Sequence, residues 1–220
     1  MGNSRRTAVL ISGTGTNLQA LIDACDTPDY PAEITCVISN NADAFGLQRA
    51  EKLGIATEII PTKAYKTREA YDAALQSTLE AYKIDLVCLA GFMRILTPDF
   101  VNRWYGRMLN IHPSLLPAYR GLHTHRQVLK DGIQITGCTV HFVTPELDAG
   151  PAIIQAAVAV CPTDTEDTLA ARVLDAEHQC YPQALKWVAE GWITLREDGS
   201  ILHRHALSDE HPTLINPPLD

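Results

Sequence analysis

Ala8-Val9-Leu10-Ile11-Ser12-Gly13-Thr14-Gly15-Thr16-Asn17-Leu18-Gln19-Ala20 is the stretch on which the fold turns. An unbroken apolar run ends in a glycine-spaced turn, and a helical pattern then runs from Asn17 to about Ala24. That reads as a buried strand feeding a helix. The unit recurs: Ile34 to Ser39 is expected as strand, Phe45 to Leu53 as helix, and Ile55 to Ile60 as strand. Tyr71, Leu75, Thr78, Leu79 and Tyr82 keep the helical period, and Asp85 to Ala90 is a nearly all-apolar strand. Thr97-Pro98 opens a short helix, with proline in the first turn where its missing N–H is no loss. Met108 to Ile111 is a further strand. Strands joined by crossover helices make a mostly parallel sheet covered on both faces, so the fold class is α/β, open and doubly wound.

The second half changes character. Thr136 to Val143 and Ala152 to Val160 are expected as long strands joined by a loop, which gives the sheet an antiparallel edge. Thr163 to Glu166 matches a capping box. It opens a long helix through Leu169, Val173, Leu174, Tyr181, Leu185 and Val188. Trp192 to Leu195 and Ile201 to His203 form a small hairpin around Asp198-Gly199. With no repeat, linker or composition break, residues 7–205 are expected to be one domain, with 1–6 and 206–220 as flexible ends.

The chain has 220 residues, 46% hydrophobic and 20% charged, which allows a sizeable core and excludes global disorder. Eighteen basic against 26 acidic residues leave a net charge of −8. Both nucleic acid and membrane surfaces are polyanionic, so no partner of either kind is expected. A small anionic substrate in a local pocket stays compatible. The apolar runs are too short for a signal peptide or a membrane helix, so a cytoplasmic location is expected. Cysteines stand at 25, 36, 88, 138, 161 and 180, none in a Cys-x-x-Cys pair, and read as buried reduced thiols.

Four segments carry the candidate chemistry. The turn Ser12 to Leu18 presents free backbone N–H groups at a helix N-terminus, where the macrodipole is positive. It lacks the glycine of a dinucleotide fingerprint and the lysine of a Walker loop. It is either a loop for a single phosphate or a tight turn and nothing more. Ala90-Gly91-Phe92-Met93-Arg94-Ile95-Leu96 follows the fourth strand, and ligands of open parallel sheets bind outside the carboxyl ends of strands. It can hold a flat heterocycle, or merely join strand to helix. In Leu109-Asn110-Ile111-His112-Pro113, Asn110 and His112 are two apart and share one side of an extended chain. Pro113 keeps His112 out of helical geometry. An amide beside an imidazole at a strand end suits oxyanion stabilisation with proton transfer. Asp148, in Thr144-Pro145-Glu146-Leu147-Asp148-Ala149-Gly150, is either a carboxylate aimed into a cleft or a turn aspartate; beside His112 it would favour the imidazolium.

Other candidates are weaker. His123-Thr124-His125 has metal-ligand residue types, yet no carboxylate or cysteine cluster accompanies it, so a surface or pocket pair is expected. Ser114 lies near His112, but Gly-x-Ser-x-Gly is missing. Arg68, ahead of a helix, meets an acidic ligand tail or simply solvent. Glu177-His178 lies mid-helix, with a solvated face as the default reading.

Taken together, Ser12 to Ala20, Leu89 to Leu96, Asn110-Ile111-His112-Pro113-Ser114-Leu115-Leu116-Pro117 and Leu147 to Gly150 resemble the phosphoribosylglycinamide formyltransferases, a folate-dependent formyltransferase family. The likeness extends from about Thr7 to about Trp192 in the same order. It implies a Rossmann-like formyltransferase fold and a one-carbon transferase. The implied reaction moves the formyl group of 10-formyltetrahydrofolate, a co-substrate, to the amine of glycinamide ribonucleotide in de novo purine synthesis, with no metal. It further implies that Asn110 and His112 stabilise a tetrahedral intermediate, with Asp148 tuning His112. Gly15, Thr16, Asn17 and Glu177 correspond to ribonucleotide-binding positions. Arg68, Met93, Arg94, Ile95, Leu96, Asn110, Thr144, Pro145, Glu146, Leu147 and Asp148 correspond to folate-binding ones. The implied partners are small molecules only, with the chain a monomer or weak homodimer. Ala118 and Arg120 depart from the family pattern, at a rim contact to the phosphate.

Relatives with the same trio act on other acceptors. Methionyl-tRNA formyltransferases carry an added C-terminal domain and formyltetrahydrofolate hydrolases an N-terminal one; the short length is expected to separate this chain from both. A nucleotide-binding module without catalysis, resting on the Gly13 to Asn17 loop, is the alternative of a different class.

Overall fold

The computed structural model describes residues 4–204. In chain order the elements are β1 (Arg5–Ile11), α1 (Thr16–Cys25), β2 (Ala32–Ser39), α2 (Phe45–Lys52), β3 (Ala56–Ile59), α3 (Arg68–Ala81), β4 (Leu86–Leu89) and α4 (Pro98–Arg103). There follow β5 (Met108–His112), α5 (Thr124–Lys130), β6 (Ile135–Phe142), β7 (Ala152–Ala159), α6 (Glu166–Ala189), β8 (Ile193–Leu195) and β9 (Ile201–His203). A seven-stranded sheet runs β3-β2-β1-β4-β5-β6-β7. Its first five strands pair in parallel, and β6 and β7 join antiparallel at one edge. The expected α/β class with an antiparallel edge is the observed one.

The period of two along β1 explains how both faces are covered. Val9 and Ile11 pack with Leu18 and Leu21 of α1, Leu47 of α2, and Leu169, Val173 and Tyr181 of α6. Ala8 and Leu10 point the other way, onto Tyr71, Leu75 and Leu79 of α3 and Phe100 and Val101 of α4. The Tyr181 hydroxyl, fully buried, reaches the carbonyls of Leu89 and Leu109 at 3.0 and 3.1 Å and ties the ends of β4 and β5 together.

Several expectations need correction. Arg5 and Arg6, expected in a flexible end, are strand residues: the Arg6 amide donates to Asp85 and its guanidinium reaches the Tyr82 carbonyl and Glu33. The capping box is Thr165 with Thr168, not Thr163 with Glu166. Asp164 accepts the Cys161 amide and the Arg172 guanidinium, so residues 161–164 form a turn and the helix begins later. Helix α5 was not expected; it is short and polar, with Thr124 and Val128 its buried residues. All six cysteines are free, but Cys161 is exposed and Cys25 half-buried, so the buried reading holds for the other four. No described helix is long and apolar enough to cross a membrane. Residues 1–3 and 206–220, expected as flexible ends, lie outside the described residues.

Candidate active site

The chain builds β1, β2 and β3 outward, then returns to lay β4 on the other side of β1. Helices on opposite faces part at that reversal, and a crevice opens outside the carboxyl ends of the two strands. A cleft of about 260 Å³ lies there, lined by residues 12–17 after β1 and by Ala90, Gly91 and Met93 after β4. Gly15 occupies the N-cap of α1 at φ 70°, and no side chain caps the helix. A Cβ at 15 would stand 2.7 Å from the Gly46 Cα, so only glycine fits where this loop rests on α2. The first amides of α1 therefore lack intrahelical partners and face an open cleft. Ser12 joins the two halves, since its hydroxyl donates to Asn40 at 2.7 Å and accepts from the Met93 amide at 2.8 Å.

Asn17 lines this cleft, and its amide donates to Oε2 of the buried Glu177 at 2.7 Å. Glu177 is buried because α6 crosses α1, which corrects its reading as part of a solvated helix face. Burial holds its carboxyl above the ordinary value, and the Asn17 bond offsets that in part. Asn17 Oδ1 is buried with no partner.

Asn110 and His112 end β5, next along the sheet. His112 Nδ1 lies 3.5 Å from Asp148 Oδ2, and His112 Nε2 donates to the Tyr119 carbonyl at 2.8 Å. Both ring nitrogens thus face acceptors. Asp148 sits at φ 48° in the loop after β6 and also accepts the Gly121 amide at 2.9 Å. Its backbone belongs to a turn, as the turn-aspartate reading has it, and its largely buried carboxylate also faces His112.

One member of this cluster was missed by sequence reasoning. His141 lies directly across the β5–β6 ladder from Asn110. Its Nδ1 donates to the Phe142 carbonyl, which leaves Nε2 free to accept the Asn110 amide at 3.1 Å. His141 Nε2 is also 3.9 Å from Asp148. Burial is the main cause holding this imidazole below its ordinary pKa, with His112 adding, so it is a neutral acceptor at physiological pH. The available signal was a histidine between Val140 and Phe142 in a buried strand.

The remaining positions form a rim. Met93, Ile95, Leu122 and Leu147 expose 56–68% of their surface on three loops at this edge of the sheet, whereas Leu96 is buried. Arg94 stacks on Tyr71 at 3.9 Å, with its Nε buried and unpartnered. The Thr144 hydroxyl donates to the Glu146 carbonyl, and Arg120 pairs with Glu146 at 2.9 Å, fastening the loop after β5 to that of Pro145 and Leu147. Arg68 opens α3 and is exposed. Ser114 is no free nucleophile, because its hydroxyl is committed to the Ala118 carbonyl. His123 and His125 start α5, and among the described residues no group of three His, Cys, Asp or Glu is disposed to hold a metal ion.

A family model described as formyl transferase matches residues 5–185. Phosphoribosylglycinamide formyltransferase of Escherichia coli (strain K12) is 53% identical over 194 residues, covering 88% of this chain and 92% of that one. The trifunctional purine biosynthetic protein adenosine-3 of Bos taurus is 55% identical over 196 residues; the match covers 89% of this chain, which spans 19% of that protein's length. Among solved structures, glycinamide ribonucleotide transformylase 1 from Symbiobacterium toebii matches with a TM-score of 0.87 at 48% identity, covering 90% of this chain and 93% of that one. Matched in sequence and in fold over nearly its whole described length, the chain belongs to the formyl transferase family, among the phosphoribosylglycinamide formyltransferases.

Proposed function

We propose that the chain transfers the formyl group of 10-formyltetrahydrofolate to the amine of glycinamide ribonucleotide. Asn110, His112 and Asp148 act as the catalytic trio, on one domain running from β1 to the terminal hairpin. The observation that carries this reading is the convergence of the three side chains at the end of β5, with His112 and Asp148 at 3.5 Å. Each does a separable job. The nucleophilic amine adds to the formyl carbon, and negative charge grows on the carbonyl oxygen. Asn110 has one amide N–H held by His141, so its other N–H is oriented to donate to that oxygen. His112 Nε2 already donates to a carbonyl oxygen, that of Tyr119, and exchanges it for the formyl oxygen. Asp148 holds the His112 ring from the opposite nitrogen and takes the proton that leaves the amine. His112 returns a proton to the folate nitrogen as its bond to the formyl carbon breaks, so protons balance across the transfer.

The two substrates divide the crevice. Gly15, Thr16 and Asn17 hold the ribonucleotide phosphate through loop amides, and Glu177 contacts the same substrate. The exposed apolar side chains of Met93, Ile95 and Leu147 fit the faces of a flat pterin. Arg94, Leu96, Thr144, Pro145 and Glu146 complete the folate-binding set, and Arg68 serves the acidic tail. The test is a turnover assay with both substrates, using water and other amines as competing acceptors. His112→Ala is expected to abolish transfer while folate binding survives; full activity in that variant would sink the assignment.

A further inference from the structure

The cleft beneath the phosphate loop has a problem of charge. None of the residues lining it is ionisable, the loop contains no lysine, and the chain as a whole carries −8. A dianionic phosphate brought there meets an unfavourable field, relieved at short range by the α1 amides alone. A cation does touch the loop, from behind. Arg49, in the last turn of α2, donates from Nε to the Thr14 carbonyl at 3.0 Å and from Nη1 to the Gln19 side chain at 3.4 Å. Its guanidinium also lies 5.0 Å from the centre of the Phe45 ring. Three contacts on one half-exposed side chain fix it in place. The Gly46 amide takes the neighbouring Gly13 carbonyl at 3.1 Å. Carbonyls 13 and 14 are thereby turned back toward α2, and the amides that follow are left toward the cleft.

We infer that Arg49 is a positioning residue for the ribonucleotide phosphate. It fixes the orientation of the Thr14 peptide, and it supplies, from behind the loop, the positive charge that the cleft lining lacks. The inference rests on the reading that residues 15–17 hold that phosphate. It differs from a plain structural role in one respect: its effect depends on the charge of the substrate.

The experiment compares the acceptor with and without its phosphate. Arg49→Met keeps the apolar stem on Phe45 and removes the charge; Arg49→Gln replaces it if that variant does not fold. KM for the ribonucleotide is expected to rise roughly tenfold with kcat within about twofold, while KM for the dephosphorylated acceptor stays unchanged. Arg49→Lys, which keeps the charge without the fork, recovers part of the loss. The salt dependence of KM becomes shallower in the neutral variants. An unchanged KM, or an equal rise for both acceptors, overturns the inference. Gly15→Ala, strained at φ 70° and crowded against Gly46, separates the two levels of argument. If it raises KM for the ribonucleotide and Arg49→Met does not, the loop holds the phosphate and Arg49 has no part. If neither variant acts in a phosphate-dependent way, the loop reading falls and takes the Arg49 role with it.

Discussion

Glu177→Gln exchanges a buried carboxylate for a neutral side chain of the same shape, and the structure sets both the sign and the size of the outcome. Glu177 is 7% exposed and accepts the Asn17 amide at 2.7 Å. Removing an ionised carboxylate from water costs several kcal/mol even after relaxation. The charge-assisted bond from Asn17 returns about 1.5–3 kcal/mol, and a glutamine oxygen in the same position still accepts for about 0.5–1.5 kcal/mol. The free variant is therefore expected to be more stable by about 1–3 kcal/mol at pH ~8. For a chain of this size that is a rise of roughly 2–12 °C in Tm. The pH dependence follows from the raised carboxyl pKa. The native state binds that proton more tightly than the unfolded chain, whose ordinary value is 4.5. The contribution of Glu177 to stability is complete below that value and is lost as pH climbs through the raised one. The difference between variant and parent should thus be absent in acid and open as pH rises above ~4.5. Function moves the other way: kcat/KM for the ribonucleotide falls roughly 10- to 100-fold, the loss of one charged contact. Differential scanning calorimetry across pH, with steady-state kinetics on the same samples, measures both. A Tm difference that is flat with pH, or a variant destabilised at pH ~8, would refute the reasoning.

Two further perturbations probe the proposed catalytic trio and the strands that carry it. Asp148→Asn keeps an oxygen for the Gly121 amide but removes the charge facing His112; kcat is expected to fall by about 10²–10⁴ with KM little changed, and a kcat within about threefold of the parent would count against proton transfer at this pair. Tyr181→Phe leaves the Leu89 and Leu109 carbonyls without their shared donor; a loss of about 1–2 kcal/mol, or roughly 2–8 °C in Tm, is expected by scanning calorimetry, and an unchanged Tm would show that the hydroxyl does not tie β4 to β5.

How much of this could be read from the chain depended on how local each cause is. The change of period at Ser12 to Thr16 is local, and β1, its turn and α1 are found where the pattern puts them. The pairing of Asn110 with His112 is also local, since an extended strand fixes the side of alternate residues. The contact of His141 with Asn110 is not local, because it is made through the register of an antiparallel ladder, across 31 residues of chain. Glu177 departs from its default reading as a solvated residue for a similar reason. Mid-helix charge defaults to solvent, and only the packing of α6 on α1 buries it against Asn17. The position of Asp148 turns on a loop with φ 48°, which no periodicity encodes.

The Tyr119 carbonyl on His112 and the Gly121 amide on Asp148 carry a pharmacological consequence. Residues 119–121 offer one acceptor to His112 and one donor to Asp148, so on the proposed function this loop occupies groups that a substrate would meet. A ligand that takes the place of the Tyr119 carbonyl on His112 would bind with an apparent affinity scaled by the fraction of molecules in which that contact is open. The same segment is a template. A compact compound presenting an acceptor to the imidazole and a donor to the carboxylate at the spacing of Tyr119 and Gly121 would gain affinity by replacing the loop, without resembling either substrate.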